Sequence, residues 1–431
     1  MTRIRPWRSL SLAFIAILCA LACYLFIPTD PATRKVAAVF TIAVFFWAFE
    51  ITPLYATSLL VVVLLTLLMD QNLQYFWIPF SSPVIILFLG GLTLAAAAKR
   101  HGVDHFLIEK VLAKVGFTTT TLLISSAFFS MWISNTAAAA LMLMLVMPAF
   151  HNLETDDPIK RRVILAIAFG ANIGGIMTPI GTPPNAIALG ILRDFGIEID
   201  FLRWMLYTVP FALILLAVTA VVLTLLFPSK TKLAPPKVFP KLTKKGKGVL
   251  VIACLMIALW LTKVWHHIPE SLVALIGLTL FALFRLIKKE EIRSIQWDIL
   301  ILMWGGLALG EAVLSSDVFH EIVKIPLFQE KGVVLLITFG ILAVLLTSFI
   351  SNTATANLLL PIAIAIDPTN KLLIAITIAL ACSFSFAFPI STPPNALAYG
   401  TGHVSVKEMF KAGGLLSALS LALLLVVASF V

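Results

Sequence analysis

The sequence predicts an all-α polytopic membrane protein made of two related halves. Of its 431 residues, 60% are hydrophobic and only 12% are charged, a composition that excludes a soluble enzyme. The pentapeptide Ile-Ser-Asn-Thr-Ala occurs at 133–137 and again at 350–354. Each copy is followed by the sequence Pro-Ile-x-Thr-Pro-Pro-Asn-Ala, at 179–186 and 389–396. Two motifs repeated in the same order indicate an internal duplication.

Apolar runs long enough to cross a bilayer predict about 11 transmembrane helices. Two further runs, at 118–150 and 332–366, are too long for one crossing and too short for two, and each carries its Ser-Asn-Thr near the middle. We predict two re-entrant helical hairpins there, because hydrocarbon tolerates an interrupted helix only where protein surrounds it. The predicted spans lie at 9–27, 36–50, 53–69, 84–98, 163–192, 204–227, 249–265, 271–287, 298–314, 372–402 and 413–431.

The distribution of basic residues predicts the topology. If the N-terminus is cytoplasmic, most of the 31 Lys and Arg residues fall in segments placed inside, as the positive-inside rule requires. An odd number of crossings separates the hairpins, so they enter from opposite faces and the repeats are inverted. The net charge of +10 reflects this topology, and no nucleic-acid partner is expected. We predict an N-terminal span at 1–33, a first repeat at 34–227 with a cytoplasmic-side hairpin, a basic cytoplasmic linker at 228–248 and a second repeat at 249–431 with an outer-side hairpin.

The repeated motifs also predict binding chemistry. A hairpin tip that starts a half-helix offers unpaired backbone N–H groups, the positive end of a helix dipole and polar side chains, which together suit a carboxylate. The paired prolines at 183–184 and 393–394 remove N–H donors and release carbonyl oxygens from the helix. Such carbonyl oxygens, with hydroxyl oxygens, suit a small cation. Each half therefore predicts one cation site and one carboxylate site, which together fit a ligand with two carboxylates.

The motif-bearing segments contain no charged side chain that could balance such a ligand. Lys, Arg, His, Asp and Glu are absent from 115–150, 163–192, 332–366 and 372–402. An unpaired dianion in a low dielectric costs on the order of several kcal/mol, so co-bound cations are predicted. Sodium is favoured over protons because no acidic side chain is present to carry a proton.

Two other transport functions fit the same motifs, and two non-transport functions do not. One is a sodium-independent dicarboxylate exchanger, of the 2-oxoglutarate/malate or citrate/succinate type. Another is a carrier of sulfate or another inorganic divalent anion, since hydroxyl and amide donors serve sulfate as well as carboxylate. A membrane-embedded enzyme is disfavoured, because it needs a catalytic acid, base or metal constellation and these segments contain none. A channel is disfavoured, because it would not need two paired cation and carboxylate sites.

At these residues the chain resembles the divalent anion/sodium symporters, which carry di- and tricarboxylates or sulfate. Both Ser-Asn-Thr tips and both Thr-Pro-Pro-Asn-Ala breaks match, and the resemblance extends from about Arg34 onward. A Trp-x-x-Glu-x-x-Pro-Leu-x-x-Thr-Ser signature is formed by Trp47, Glu50, Pro53, Leu54, Thr57 and Ser58.

The resemblance implies a homodimer in the lipid bilayer, in which a transport domain moves against a scaffold domain as an elevator. It implies import of C4-type dicarboxylates, the class of succinate, malate and fumarate, with sodium ions co-transported and no organic cofactor. The expected location is a bacterial cytoplasmic (inner) membrane.

The resemblance also assigns site residues, none of them catalytic. The first sodium site would use Ser130, Ser134, Asn135 and the backbone of Gly181. The second would use Thr347, Ser351, Asn352 and the backbone of Ser391. The substrate carboxylates would meet Asn135, Thr136, Thr182, Pro183, Asn352, Thr353, Thr392 and Pro393.

Two details of spacing bear on these assignments. Ser130 and Thr347 each lie four residues before a tip serine, so we expect each pair on one face of a helix. Gly181 occupies the position that matches Ser391, so the two sodium sites are expected to differ in affinity.

Overall fold

The computed structural model describes residues 6–69, 74–151, 153–154, 156–231, 233, 241–318 and 331–429. Within these ranges the chain forms twenty α-helices and no β-strand, so the predicted all-α class is confirmed. The linker predicted at 228–248 lies partly outside the described residues.

The first half contains α1 (Pro6–Phe26), α2 (Pro31–Ala48), α3 (Leu54–Leu68), α4 (Pro83–Arg100), α5 (Val103–Val115), α6 (Thr119–Ser130), α7 (Asn135–Val146), α8 (Pro158–Gly175), α9 (Pro183–Asp194) and α10 (Phe201–Leu226). The second half contains α11 (Lys244–Leu261), α12 (Lys263–His266), α13 (Glu270–Leu283), α14 (Lys289–Arg293), α15 (Trp297–Leu314), α16 (Val333–Thr347), α17 (Asn352–Ile366), α18 (Lys371–Ala381), α19 (Pro393–Gly400) and α20 (Val406–Ala428).

The four hairpin helices are shorter than the longest apolar helices, although α3 and α13, which lie in predicted spans, are equally short at 15 and 14 residues. Five described helices, α2, α4, α10, α15 and α20, are long and apolar enough to cross a membrane. The hairpin helices are shorter, with 12 residues each in α6 and α7 and 15 each in α16 and α17. At about 1.5 Å per residue these reach roughly 18 to 22 Å, less than the roughly 30 Å of a hydrocarbon core. Such lengths suit half-membrane helices.

The predicted spans at 163–192 and 372–402 are each divided into two helices. Residues 176–182 separate α8 from α9, and residues 382–392 separate α18 from α19. Both second helices begin with the paired prolines, which are favoured at the first helical position because that N–H has no helical partner. Each break therefore leaves a short stretch of backbone whose polar atoms must find other partners.

Buried hydrophobic clusters divide the helices into a frame and a core body. One cluster is built mainly from α2, α3 and α15, and another mainly from α4, α11 and α13; we call these six helices the frame. The largest cluster is built mainly from the two hairpins, the two broken helices, α10 and α20, which we call the core body. The hairpins and breaks that carry both motifs belong to the core body by this definition. At the boundary, Ile350 and Ala354 of the second tip pack in the first frame cluster, and Ile180 of the first break packs in the second.

The signature residues near the start of the chain pack the frame together. The indole of Trp47 is fully buried, and its Nε1 donates to Leu54 O at 3.3 Å. Ser58 is also buried and packs so closely on Gly305 of α15 that any side chain there would overlap it. Glu50 lies in an exposed turn with a positive φ of 46°. The signature thus serves the contact between α3 and α15.

The two repeats meet the frame differently. In the second repeat, Asn357 Nδ2 of α17 donates to Leu302 O of α15 at 3.0 Å, and Gly306 leaves the room that this amide needs. Gly90 and Gly91 of α4 match Gly305 and Gly306 of α15, and they pack instead against Ala274 of α13 and Ile180 of the first break. The second hairpin is therefore fastened to the frame helix α15.

Candidate binding site

Each Ser-Asn-Thr motif forms the turn between two hairpin helices. Ser134 Oγ accepts from the backbone N of Ala137 at 3.3 Å, and Ser351 Oγ accepts from that of Ala354 at 3.1 Å. Each tip serine is thus the N-cap of the second hairpin helix. Because α6 ends at Ser130, that residue and Ser134 do not share a helix, and the expected common helix face is wrong. The same holds in the second hairpin, where α16 ends before the tip.

The first hairpin tip gathers three oxygen atoms from separate segments. Ser130 Oγ lies 2.7 Å from Asn135 Oδ1 and 2.7 Å from the backbone oxygen of Ala171 in α8. A serine hydroxyl has one proton, so it cannot satisfy both acceptors at once. We call these three atoms the first oxygen cluster. Its surplus of lone pairs is the property that a small hard cation requires.

The second hairpin tip repeats this arrangement and adds an oxygen atom. Thr347 Oγ1 lies 2.7 Å from Asn352 Oδ1 and 2.6 Å from Cys382 O. Ser385 Oγ is 3.2 Å from the same Asn352 oxygen. These four atoms form the second oxygen cluster. A hydroxyl, an amide oxygen and a carbonyl oxygen therefore converge at matched positions of both repeats.

The asparagine of each Thr-Pro-Pro-Asn motif ties together the break that precedes it. Asn185 Nδ2 donates to Gly175 O at 2.9 Å and to Thr178 O at 2.8 Å. Asn395 Nδ2 makes the equivalent pair of bonds in the second break, at 3.0 and 3.1 Å. The breaks do release carbonyls, as predicted, but two in each break are bound by the asparagine. The backbone oxygens left for a cation are correspondingly fewer.

Gly181 and Ser391 differ in function as well as in size. A side chain at Gly181 would overlap the carbonyl of Gly175. At the matched position there is room for a hydroxyl, and Ser391 Oγ donates to Ser348 O at 2.9 Å. The second break is therefore fastened to its hairpin by a bond that Gly181 cannot make.

Gly175 and Ser385 form a second matched pair that sequence reasoning missed. A Cβ on Gly175 would lie 2.7 Å from both polar atoms of the Asn135 amide, so only glycine fits there. In the second repeat Ser385 contributes its hydroxyl to the oxygen cluster. Counting back from the two Thr-Pro-Pro-Asn motifs would have revealed this pair. By contrast, the backbone oxygens of Ala171 and Cys382 leave no side-chain signal in a sequence.

The structure brings each hairpin tip to the break of its own repeat. Asn135 lies against Gly175, and Asn352 lies against Ser385. The second tip is the more enclosed, since Ala354 is fully buried whereas the first tip is half-buried. Of the predicted substrate residues, Thr182, Thr353 and Thr392 are buried, Asn135, Thr136, Pro183 and Asn352 are half-buried and Pro393 is exposed.

Charged groups lie away from both clusters. Among the described residues, ion pairs join Arg100 to Glu291 and Arg161 to Glu408, and none involves the four motif-bearing segments. A cavity of about 560 Å³ lies at the Arg161–Glu408 pair beside His403, at the starts of α8 and α20. It does not touch either oxygen cluster. Both oxygen clusters are therefore uncharged.

Comparison with known proteins identifies the family. Residues 44–381 match the family described as "Citrate transporter". The chain belongs to this family. Its members are transporters, so the protein is an integral multi-pass membrane transporter and not an enzyme. The family assignment and the relatives below confirm the resemblance to the divalent anion/sodium symporters.

Two relatives cover most of the chain. The sodium-dependent dicarboxylate transporter SdcS of Staphylococcus saprophyticus is 30% identical over 89% of this chain and 83% of its own length. An uncharacterized transporter of Methanocaldococcus jannaschii is 33% identical over 96% of this chain and 98% of its own length.

Two solved structures share the fold. The YdaH transporter of Alcanivorax borkumensis has a TM-score of 0.60 at 15% identity, covering 91% of this chain and 98% of its own. The antimetabolite efflux pump MtrF of Neisseria gonorrhoeae has a TM-score of 0.53 at 12% identity, covering 99% and 95%. At these identities the likeness concerns the fold alone.

Proposed function

We propose that the protein is a secondary active transporter that imports C4-type dicarboxylates together with sodium. The observation that carries this proposal is the pair of matched oxygen clusters, Ser130–Asn135–Ala171 and Thr347–Asn352–Cys382. The SdcS relative is named a sodium-dependent dicarboxylate transporter, which supports the proposal. Two cation sites flanking one space suit a ligand with a negative charge at each end.

In this proposal, bound sodium raises the affinity for substrate, and bound substrate raises the affinity for sodium. A sodium ion at each cluster is held by Ser130, Asn135 and the Gly181 backbone, or by Thr347, Asn352 and the Ser391 backbone. The tip serines Ser134 and Ser351 complete these two sets. Each ion lowers the cost of bringing a carboxylate into a region without basic side chains, so substrate affinity rises with sodium concentration by reciprocal linkage.

The substrate carboxylates lie between the two tips in the proposal. The N-termini of α7 and α17 present backbone N–H groups and the positive ends of helix dipoles, which favour anions. Side-chain donors come from the tips and the breaks. These contacts are made by Asn135, Thr136, Thr182, Pro183, Asn352, Thr353, Thr392 and Pro393.

The proposed movement is an elevator within a homodimer. The core body carries both motifs and slides against the frame, with the N-terminus cytoplasmic and the protein in the bacterial inner membrane. The second hairpin, proposed to enter from outside, is fastened to α15 through Asn357 and Leu302, whereas the first tip is half-buried. That contrast fits an inward-facing state, closed outside and open towards the cytoplasm.

Uptake of radiolabelled succinate into proteoliposomes tests the proposed function. An inward sodium gradient should drive concentrative uptake, and replacing sodium by potassium should abolish it. Competition by unlabelled sulfate, citrate, 2-oxoglutarate, malate and fumarate ranks the possible substrates. Undiminished succinate exchange in sodium-free, lithium-free buffer would establish the exchanger instead. Sulfate uptake without succinate competition would establish the inorganic anion carrier.

A further inference from the structure

Asn172 is a buried amide of α8 that reaches from the first repeat into the second. It is only 2% exposed. Its Nδ2 lies 3.2 Å from Thr392 Oγ1 and 3.1 Å from Asn395 Oδ1. Both partners belong to the second Thr-Pro-Pro-Asn motif. Asn172 belongs to neither the sodium sites nor the substrate contacts proposed above.

The bonds around Asn395 fix the orientation of the Asn172 amide. Asn395 Nδ2 donates to Ser385 O and Phe388 O, so its Oδ1 can only accept. The Asn172 atom that faces it must therefore be the donor, Nδ2. The second hydrogen of that nitrogen is then available to Thr392 Oγ1. Asn172 thus acts as a double donor towards the second break.

The hydrogen bond from Asn172 determines whether the Thr392 hydroxyl donates or accepts towards a ligand. Thr392 Oγ1 accepts from Asn172 Nδ2 and also from the backbone N of Asn395, at 3.3 Å. A hydroxyl has two lone pairs and one proton, so both lone pairs are occupied. The remaining proton makes Thr392 a donor towards a ligand. A carboxylate oxygen is the matching acceptor.

The first break lacks this arrangement. Asn172 comes directly after Ala171, whose backbone oxygen belongs to the first oxygen cluster. In the second repeat, Ser383 comes directly after Cys382, whose backbone oxygen belongs to the second oxygen cluster. Within the described part of the chain, Ser383 Oγ and the Asn185 Oδ1 atom are buried without a hydrogen-bond partner. The Thr182 side chain likewise makes no cap bond to its helix. Ser383 therefore does not supply to the first break the donor that Asn172 supplies to the second.

We propose that Asn172 is a positioning residue that acts through Thr392 to make the second break selective for an ionised carboxylate. The inference rests on the proposed function and deepens it. A residue of the first repeat prepares the second repeat's half of the substrate site. The two ends of the dicarboxylate are therefore held unequally, the end at Thr392 more strictly than the end at Thr182.

A double-mutant cycle on succinate uptake tests this proposal. Thr392→Val removes the donor and should raise the succinate KM by about tenfold or more at saturating sodium. Asn172→Ala should raise it by about threefold to tenfold, with maximal rate and sodium dependence retained. Asn172→Ala combined with Thr392→Val should match Thr392→Val alone within about twofold, because both changes act through one hydroxyl.

Two further variants control for misfolding of Asn172→Ala and for the effect of removing a buried polar group. Asn172→Ser places in α8 the residue type found at 383 and should reproduce the KM increase of Asn172→Ala with less risk to folding. Ser383→Ala, which removes a buried hydroxyl without a partner, should leave KM unchanged. Additive effects in the cycle, or a normal KM in Asn172→Ser, would overturn the inference while wild-type uptake still supports the proposed function. Wild-type protein that takes up no succinate would overturn the proposed function itself.

Discussion

In the first repeat the oxygen cluster has a glycine beside it, and in the second repeat it has a serine. Residue 175 must be glycine, because the Asn135 amide leaves no space for a Cβ there. Ser385 fills the matched position and brings its hydroxyl to Asn352. The same arrangement of oxygen atoms is thus accompanied by close packing in one repeat and by an extra hydroxyl oxygen in the other. The comparison teaches that duplication preserved the cluster while its surroundings diverged.

The largest expected effect comes from the two tip asparagines. Asn135→Ala and Asn352→Ala each remove the amide oxygen of one cluster, and loss of a proposed sodium ligand should weaken sodium binding by about 100-fold or more. Uptake of succinate at moderate sodium should therefore vanish in both variants, with normal expression and folding. Near-normal uptake by either variant would remove that hairpin from the site.

The glycine–serine pair should give a smaller and unequal effect. Gly175→Ala forces a methyl group against the Asn135 amide, so we expect at least about a tenfold loss of sodium affinity from this overpacking. Ser385→Ala removes one neutral hydrogen bond, so we expect only about a threefold to tenfold loss. Both losses of sodium affinity are measured from the dependence of succinate uptake on sodium concentration. Equal losses in the two variants would contradict the difference described between the repeats.

Labelling of single cysteines measures how differently the two tips are exposed. The native cysteines are first replaced, with Cys382→Ala keeping the backbone oxygen that the cluster uses. A cysteine at Ala137 should react from the cytoplasmic side, and one at Ala354 should react only from outside and more slowly, because Ala354 is fully buried. Saturating sodium and succinate should protect the first position. Reaction of both from one face in every condition would refute the inverted topology.

The smallest effect concerns the base of the second hairpin. Burial disfavours the charged Asp367 carboxylate, but bonds from Thr369, Asn370 and the Gly332 backbone outweigh it and lower its pKa to about 2. A lowered pKa stabilises the fold above the ordinary value of 3.8, and this contribution is lost as pH falls towards 2. Asp367→Asn should cost about 1 to 2 kcal/mol at pH 7 and less at pH 3.

Thermal unfolding of the purified protein measures this contribution. The first hairpin offers a matched control, because its base is capped by the uncharged Thr118 hydroxyl. Thr118→Ala should cost a similar amount of stability at both pH values. A pH-independent loss in Asp367→Asn would show that the carboxylate is not the source of the effect.

The sequence predicted the hairpins, the broken helices and the tip residues, because paired prolines and Ser-Asn-Thr turns act on the backbone locally. It did not predict the backbone oxygens of Ala171 and Cys382, since every residue type has a carbonyl. It also missed Asn172, whose partners lie in the other repeat and depend on how the repeats pack. The helix shared by Ser130 and Ser134 was predicted wrongly because the turn begins before the motif.

The ratio of sodium to succinate carried in one transport cycle tests the central claim most directly. Radiolabelled sodium and succinate fluxes are measured in parallel in proteoliposomes at a clamped membrane potential. Two clusters that each carry an ion predict at least about two sodium ions per succinate. If the cycle carries more than two, it moves net positive charge, and uptake rises with an inside-negative potential. Succinate transport without accompanying sodium would contradict the account.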